Sequence, residues 1–132
     1  FNSIRPGIQA YSNLVFNFKL YNMRRMDHDR DGILSMYEYG PSFDQDPIDT
    51  DGDDRPDYLD VDDDADGVLT KTERSFTYLD GTVTKTAYYP YFGALVDDAA
   101  TPYDDTRGIP SCSGDFTTPT RLRRHLDPAC RN

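Results

Sequence analysis

Apolar and polar positions alternate between residues 13 and 21: Leu14, Phe16, Phe18 and Leu20 on one side, Val15, Asn17, Lys19 and Tyr21 on the other. A period of two predicts a strand with a buried face, and Pro6-Gly7 ahead of it marks a turn. No other stretch is an obvious sheet partner for that face. Past residue 26 the alternation gives way to acidic runs, and a short helix is expected over 70–78. Residues 80–111 are aromatic and turn-rich, marked by Asp80-Gly81, Tyr88-Tyr89-Pro90-Tyr91-Phe92 and Thr101-Pro102-Tyr103. Little regular structure is expected there, with the rings covering the acidic region. Thr118-Pro119 reads as an N-cap followed by Pro at the first helical position. A helix over 119–126 is expected, with Leu122 and Leu126 on one face and Arg121, Arg123 and Arg124 around it. Asp127-Pro128 ends it.

The acidic region holds three copies of one pattern: Asp27-His28-Asp29-Arg30-Asp31-Gly32 closing with Glu38, Asp49-Thr50-Asp51-Gly52-Asp53 closing with Asp60, and Asp62-Asp63-Asp64-Ala65-Asp66-Gly67 closing with Glu73. In each, carboxylates stand at positions 1, 3, 5 and 12 of a twelve-residue loop, the spacing that wraps backbone and side-chain oxygens around Ca²⁺. Loop one (27–38) offers Asp27, Asp29, Asp31, the Ile33 carbonyl, Ser35 through water, and Glu38. Loop three (62–73) repeats the set with Asp62, Asp64, Asp66, Val68, Thr70 and Glu73. Loop two (49–60) offers Asp49, Asp51, Asp53, Asp57 and Asp60, but Asp54 stands where the others have glycine. Aspartate tolerates the left-handed backbone required there better than most residues. The ordinary alternative is a solvated acidic run, and an oxygen cage built wholly from protein favours Ca²⁺ over the smaller Mg²⁺. About three calcium ions are expected. An EF-hand is not, because a strand pattern precedes loop one and Gly40-Pro41 follows it.

Charge and composition fit this picture. The formal net charge is −10, and 17 of the 24 acidic residues fall within 27–73. Three Ca²⁺ would bring −10 to about −4. So acidic a chain is a poor ligand for nucleic-acid backbones or anionic membranes. With 36% hydrophobic residues and no Trp, the core is small, and ions or a disulfide must help to order it. Cys112 and Cys130 are the only cysteines. Together with calcium they point to one disulfide and an oxidising, extracytoplasmic setting. No signal peptide or membrane-spanning run is present. The chain starts at Phe1 without Met, as a C-terminal portion of a longer exported protein would. The two histidines, His28 and His125, read as isolated surface residues, and no nucleophilic or acid–base constellation appears.

The sequence from Asp49 to Asp53, followed by Pro56-Asp57-Tyr58-Leu59-Asp60, resembles the thrombospondin type 3 repeat. That resemblance covers about 27–73 and implies ion cages in place of a hydrophobic core. Ile8-Gln9-Ala10 with Leu14-Val15-Phe16-Asn17-Phe18-Lys19-Leu20 resembles the last strand of FKBP-type peptidyl-prolyl isomerases. It implies that Ile8 and Phe16 lie at or near an apolar proline-binding pocket, although Gln9-Ala10 replaces the usual Pro-Pro. With Ile109-Pro110-Ser111-Cys112, the order of parts resembles the tail of a bacterial envelope lipoprotein carrying an isomerase domain.

The expected fold is mostly irregular: one N-terminal β-strand ending an FKBP-like sheet, ion-organised calcium loops, and a short C-terminal helix closed by a disulfide. The expected parts are 1–24, 25–79 and 80–132. The expected role is a calcium-stabilised spacer or docking region of an isomerase with prolyl clients, held in an outer-membrane export or uptake assembly. A non-enzymatic calcium-dependent adhesion or docking module is the alternative.

Overall fold

The computed structural model describes residues 16–22, 24–42 and 44–131. Its elements are α1 (Ser35–Glu38), a 3₁₀ turn (Asp57–Leu59), α2 (Thr70–Glu73), strands β1 (Ser75–Asp80) and β2 (Val83–Tyr88), and a second 3₁₀ turn (Arg124–Leu126). The expectation of little regular structure holds, with one addition: β1 and β2 pair antiparallel, with Ser75 opposite Tyr88 and Asp80 opposite Val83. Gly81 begins the two-residue connection at φ +64°, the hand that lets a tight turn match strand twist. Helix α2 therefore stops at Glu73 and does not run on to residue 78. Ser75-Phe76-Thr77-Tyr78 and Val83-Thr84-Lys85-Thr86 carry the β-branched and aromatic side chains that favour strands.

The expected N-terminal strand is not seen where it can be examined. Residues 16–22 have no regular structure, and Phe16, Phe18, Leu20 and Tyr21 are all exposed. Ile8 and residues 13–15 lie outside the described residues. The expected helix over 119–126 shrinks to the 3₁₀ turn Arg124–Leu126. Asp115 Oδ1 accepts the N–H groups of Thr117 and Thr118, at 2.8 and 3.2 Å, so a side-chain turn occupies the proposed cap. The arginines then reach away from a helix axis. Arg121 Nε donates to Ile109 O at 2.9 Å, Arg124 Nη2 to Ser75 O at 2.9 Å, and the Arg123 guanidinium lies 3.9 Å from the centre of the Tyr91 ring. These contacts override a moderate helix propensity. Leu122 is exposed, and His125, expected at the surface, is 1% exposed. Burial drives the His125 pKa down to about 3, helped by Arg123, Arg74 and Arg124; it is a neutral packing residue.

The core is inverted. Among the described residues the buried apolar side chains are Ile33, Ile109 and Cys130. The buried carboxylates are Asp31, Glu38, Asp57, Asp60, Asp63, Asp64, Asp66 and Glu73. Aromatic rings tie this acidic centre to the rest. Tyr37 of α1 stacks on Tyr91 at 5.0 Å, Phe76 of β1 stacks on Tyr89 at 4.3 Å, and Tyr103 meets Phe76 edge-on at 5.1 Å. Arg74, following α2, donates Nη1 to Asp31 O and Nε to Tyr89 O, both at 2.9 Å. It thus joins loop one, loop three and the segment after the hairpin. Gly32 is required twice over: its φ is +95°, and a Cβ there would lie 1.8 Å from Arg74 Nη1.

Cys112 and Cys130 are bridged, with Cα atoms 5.4 Å apart and a sequence separation of 18. Replacing both with Ser is expected to cost roughly 3 kcal/mol, mostly by freeing the unfolded chain. Urea denaturation in millimolar calcium measures this. A loss below about 1 kcal/mol would show that the C-terminal segment is held by its arginine contacts alone. Among the described residues no helix is long and apolar enough to cross a membrane.

Candidate metal centre

The three acidic loops share one backbone. Position 4 has positive φ in each (Arg30 68°, Gly52 77°, Ala65 53°), and so does position 6 (Gly32 95°, Asp54 73°, Gly67 91°). Asp54 therefore adopts the conformation that glycine has in the other two. The position-3 aspartate accepts the position-5 N–H: Asp29 from Asp31, Asp51 from Asp53, Asp64 from Asp66, at 3.1–3.2 Å. The position-5 aspartate accepts the position-7 N–H: Asp31 from Ile33, Asp53 from Arg55, Asp66 from Val68, at 2.6–2.7 Å. Each of these aspartates spends one oxygen on the turn.

Position 9 closes each loop. Its N–H donates to the carbonyl before position 1: Ser35 to Met26, Asp57 to Ile48, Thr70 to Val61. Its side-chain oxygen accepts the position-2 N–H: Ser35 from His28 at 3.2 Å, Asp57 from Thr50 at 2.7 Å, Thr70 from Asp63 at 3.2 Å. Sequence reasoning cast these three as ligands. In the structure all three also staple their loops, and the Thr50 hydroxyl donates to the second oxygen of Asp57 at 2.7 Å. The common signal was a side-chain acceptor at position 9 in every loop. From position 9 a helical turn, α1, Asp57–Leu59 or α2, carries the chain to position 12.

Donor oxygens gather within 4.8 Å of one another in four groups: Asp27 with Asp29 and Asp31; Asp49 with Asp51 and Asp53; Asp62 with Asp64 and Asp66; and Asp29 with Glu38 and Asp63. Asp57 and Asp60 stand outside the loop-two group. Asp60 Oδ1 instead accepts the N–H of Val61 at 2.6 Å and lies 3.7 Å from Arg55 Nη1. Asp63 was not foreseen as a site residue.

Buried oxygens without a hydrogen-bond partner concentrate in loops one and three: Asp29 Oδ2, Asp31 Oδ2, both of Glu38, Asp62 Oδ1, both of Asp63, Asp64 Oδ2, Asp66 Oδ2 and both of Glu73. Loop two has none among them; its Asp53 is exposed. Burial, then neighbouring carboxylates, pushes the acids up: Glu38 to about 9, Asp63 to about 10 and Glu73 to about 8. Asp29 rises to about 7 and Asp31 to about 6, again chiefly through burial. Left to themselves Glu38, Asp63 and Glu73 would hold protons at neutral pH. A divalent cation held among these oxygens would supply the positive charge that they lack.

Residues 28–103, more than half the chain, match the family described as BamM C-terminal. The chain belongs to the BamM C-terminal family. This family is neither the FKBP-type isomerases nor the thrombospondin type 3 repeats, so both resemblances are corrected. The isomerase parent, its rotamase activity and its prolyl clients go with them. The isomerase likeness rested on about fourteen residues at 8–21, ahead of the BamM C-terminal match, and the part of them that is described forms no strand. Phe16, expected to line a pocket, is 69% exposed. No curated protein and no solved structure matches the chain.

Proposed function

We propose that this chain is a cation-organised docking module acting outside the cytoplasm, within an outer-membrane protein-assembly complex. Membership of the BamM C-terminal family supports that setting. The cation reading is carried by one observation, the buried and unpartnered carboxylate oxygens of loops one and three. Unpaired charge of that kind costs several kcal/mol per ion in a protein interior. Ca²⁺ fits the donors best, since every candidate is oxygen and Ca²⁺ accepts oxygen ligands in flexible geometry. Asp27, Asp29, Asp31 and Glu38 would hold one ion, and Asp62, Asp64, Asp66 and Glu73 another. Asp49, Asp51 and Asp53 would hold a weaker third, because Asp60 is engaged elsewhere.

The ions act as the core. They fix three loop backbones against one another and so set the surface presented by the aromatic segments. The disulfide fits the same compartment. A tagged copy of the full-length protein should co-purify with the outer-membrane barrel-assembly machinery in millimolar calcium and lose it in chelator. Equal recovery in both conditions would separate docking from the ions. No recovery in either would sink the docking reading.

A further inference from the structure

Loop three carries an acid that its own ligand ring does not use. Asp63 stands at position 2, where loops one and two have His28 and Thr50. Its backbone N–H is fixed within loop three by Thr70, yet its carboxylate belongs elsewhere. A donor oxygen of Asp63 comes within 4.8 Å of donor oxygens of both Asp29 and Glu38 in loop one. Asp63 is 2% exposed and Glu38 5%. All four of their carboxylate oxygens are buried without a hydrogen-bond partner. The charges acting most strongly on Asp63 are Glu38, Asp57, Asp31 and Asp29. All are acids, and none belongs to loop three.

We propose that Asp29, Glu38 and Asp63 together ligate one divalent cation of the calcium class, which bridges loops one and three. This deepens the cation reading above and rests on it. Among the described residues no hydrogen-bond donor meets the oxygens of Glu38 and Asp63, and three convergent carboxylates supply hard oxygen donors from two separate chain segments. The Ser35 hydroxyl is held by the His28 N–H at 3.2 Å and by His28 Nδ1 at 2.8 Å. Asp63 thus offers loop one an oxygen beyond those of its own residues. The bridge makes the loops interdependent: the loop-one ion is bound tightly once loop three is formed.

Calcium calorimetry on the full chain tests this with D63N, E38Q, E73Q and the doubles D63N/E38Q and D63N/E73Q. The amides keep volume and remove charge. D63N is expected to weaken one site roughly tenfold or more, since even outer-shell changes cost that much. E38Q should weaken the same site, D63N/E38Q no further site, and D63N/E73Q two sites. Wild-type affinity in D63N, or a single weakened site in D63N/E73Q, overturns the bridge and leaves the cation reading standing. No calcium binding by the wild type overturns both. Crystals of the wild type grown in calcium give a measurement free of variants. An ion within about 2.6 Å of oxygens from all three residues supports the bridge. An ion on Asp29 and Glu38 with Asp63 beyond about 3.5 Å refutes it.

Discussion

Freed of divalent cations, this protein will be most stable near pH 4 and will weaken steadily as the pH rises toward about 10. The folded chain keeps protons on Glu38 up to about 9, on Asp63 up to about 10 and on Glu73 up to about 8. Asp29 and Asp31 follow at about 7 and about 6. In the unfolded chain the same groups ionise near pH 4. Between those limits the folded state binds more protons than the unfolded state, so stability falls with rising pH. Each such group contributes a slope of up to about 1.4 kcal/mol per pH unit. With calcium the direction reverses, because protons and the ion compete for one set of oxygens. Stability in millimolar calcium should therefore rise from pH 4 and level off once the ligands are ionised. Urea midpoints followed by circular dichroism, in metal-stripped and calcium-loaded protein, measure both curves. A metal-stripped curve that is flat, or that rises with pH, would mean that the buried acids find partners within the protein.

Arg74→Met should cost roughly 3–5 kcal/mol in calcium-saturated protein, the range seen when one partner of a buried charged set is removed. Arg74 is 8% exposed. Its guanidinium serves the Asp31 and Tyr89 carbonyls at 2.9 Å each and lies 5.7 Å from the centre of the Tyr88 ring. Methionine fills the space but leaves two carbonyls without donors and Asp31 without its neighbouring positive charge. Arg74→Lys should rescue little, because an ammonium is a point charge and lacks the planar fork that spans two acceptors. Urea denaturation at saturating calcium decides it. A cost below about 1 kcal/mol would show that the loops are joined by other means.

The acidic loops were legible because ligand spacing is local: carboxylates at fixed offsets and glycine at the turn dictate the backbone. Asp54 in the left-handed region followed from the same logic. What lay between loops was not legible. Asp63 sits at a position that no single-loop scheme assigns, and only the packing of loop three on loop one brings it beside Asp29 and Glu38. The hairpin was readable in Asp80-Gly81 and its flanking Thr and Val residues, but the expectation of a helix after loop three obscured it. The C-terminal helix failed because Arg121 and Arg124 gain more from distant carbonyls than from a helical turn. The N-terminal alternation was real as a pattern, yet alternation alone does not supply a partner strand.

An acid-filled interior also alters how the molecule answers to temperature. The heat-capacity change of unfolding comes mainly from exposing apolar surface to water, about 12–15 cal/mol/K per residue in ordinary domains. Here few apolar side chains are fully buried among the described residues, Ile33, Ile109 and Cys130 foremost, so that quantity is expected to fall below the ordinary range and the curve of stability against temperature to be shallow. Cold weakens such a fold little, since there is scant hydrophobic burial for it to weaken. On the proposed cation reading, the stability of this protein would follow the calcium concentration around it more closely than warmth.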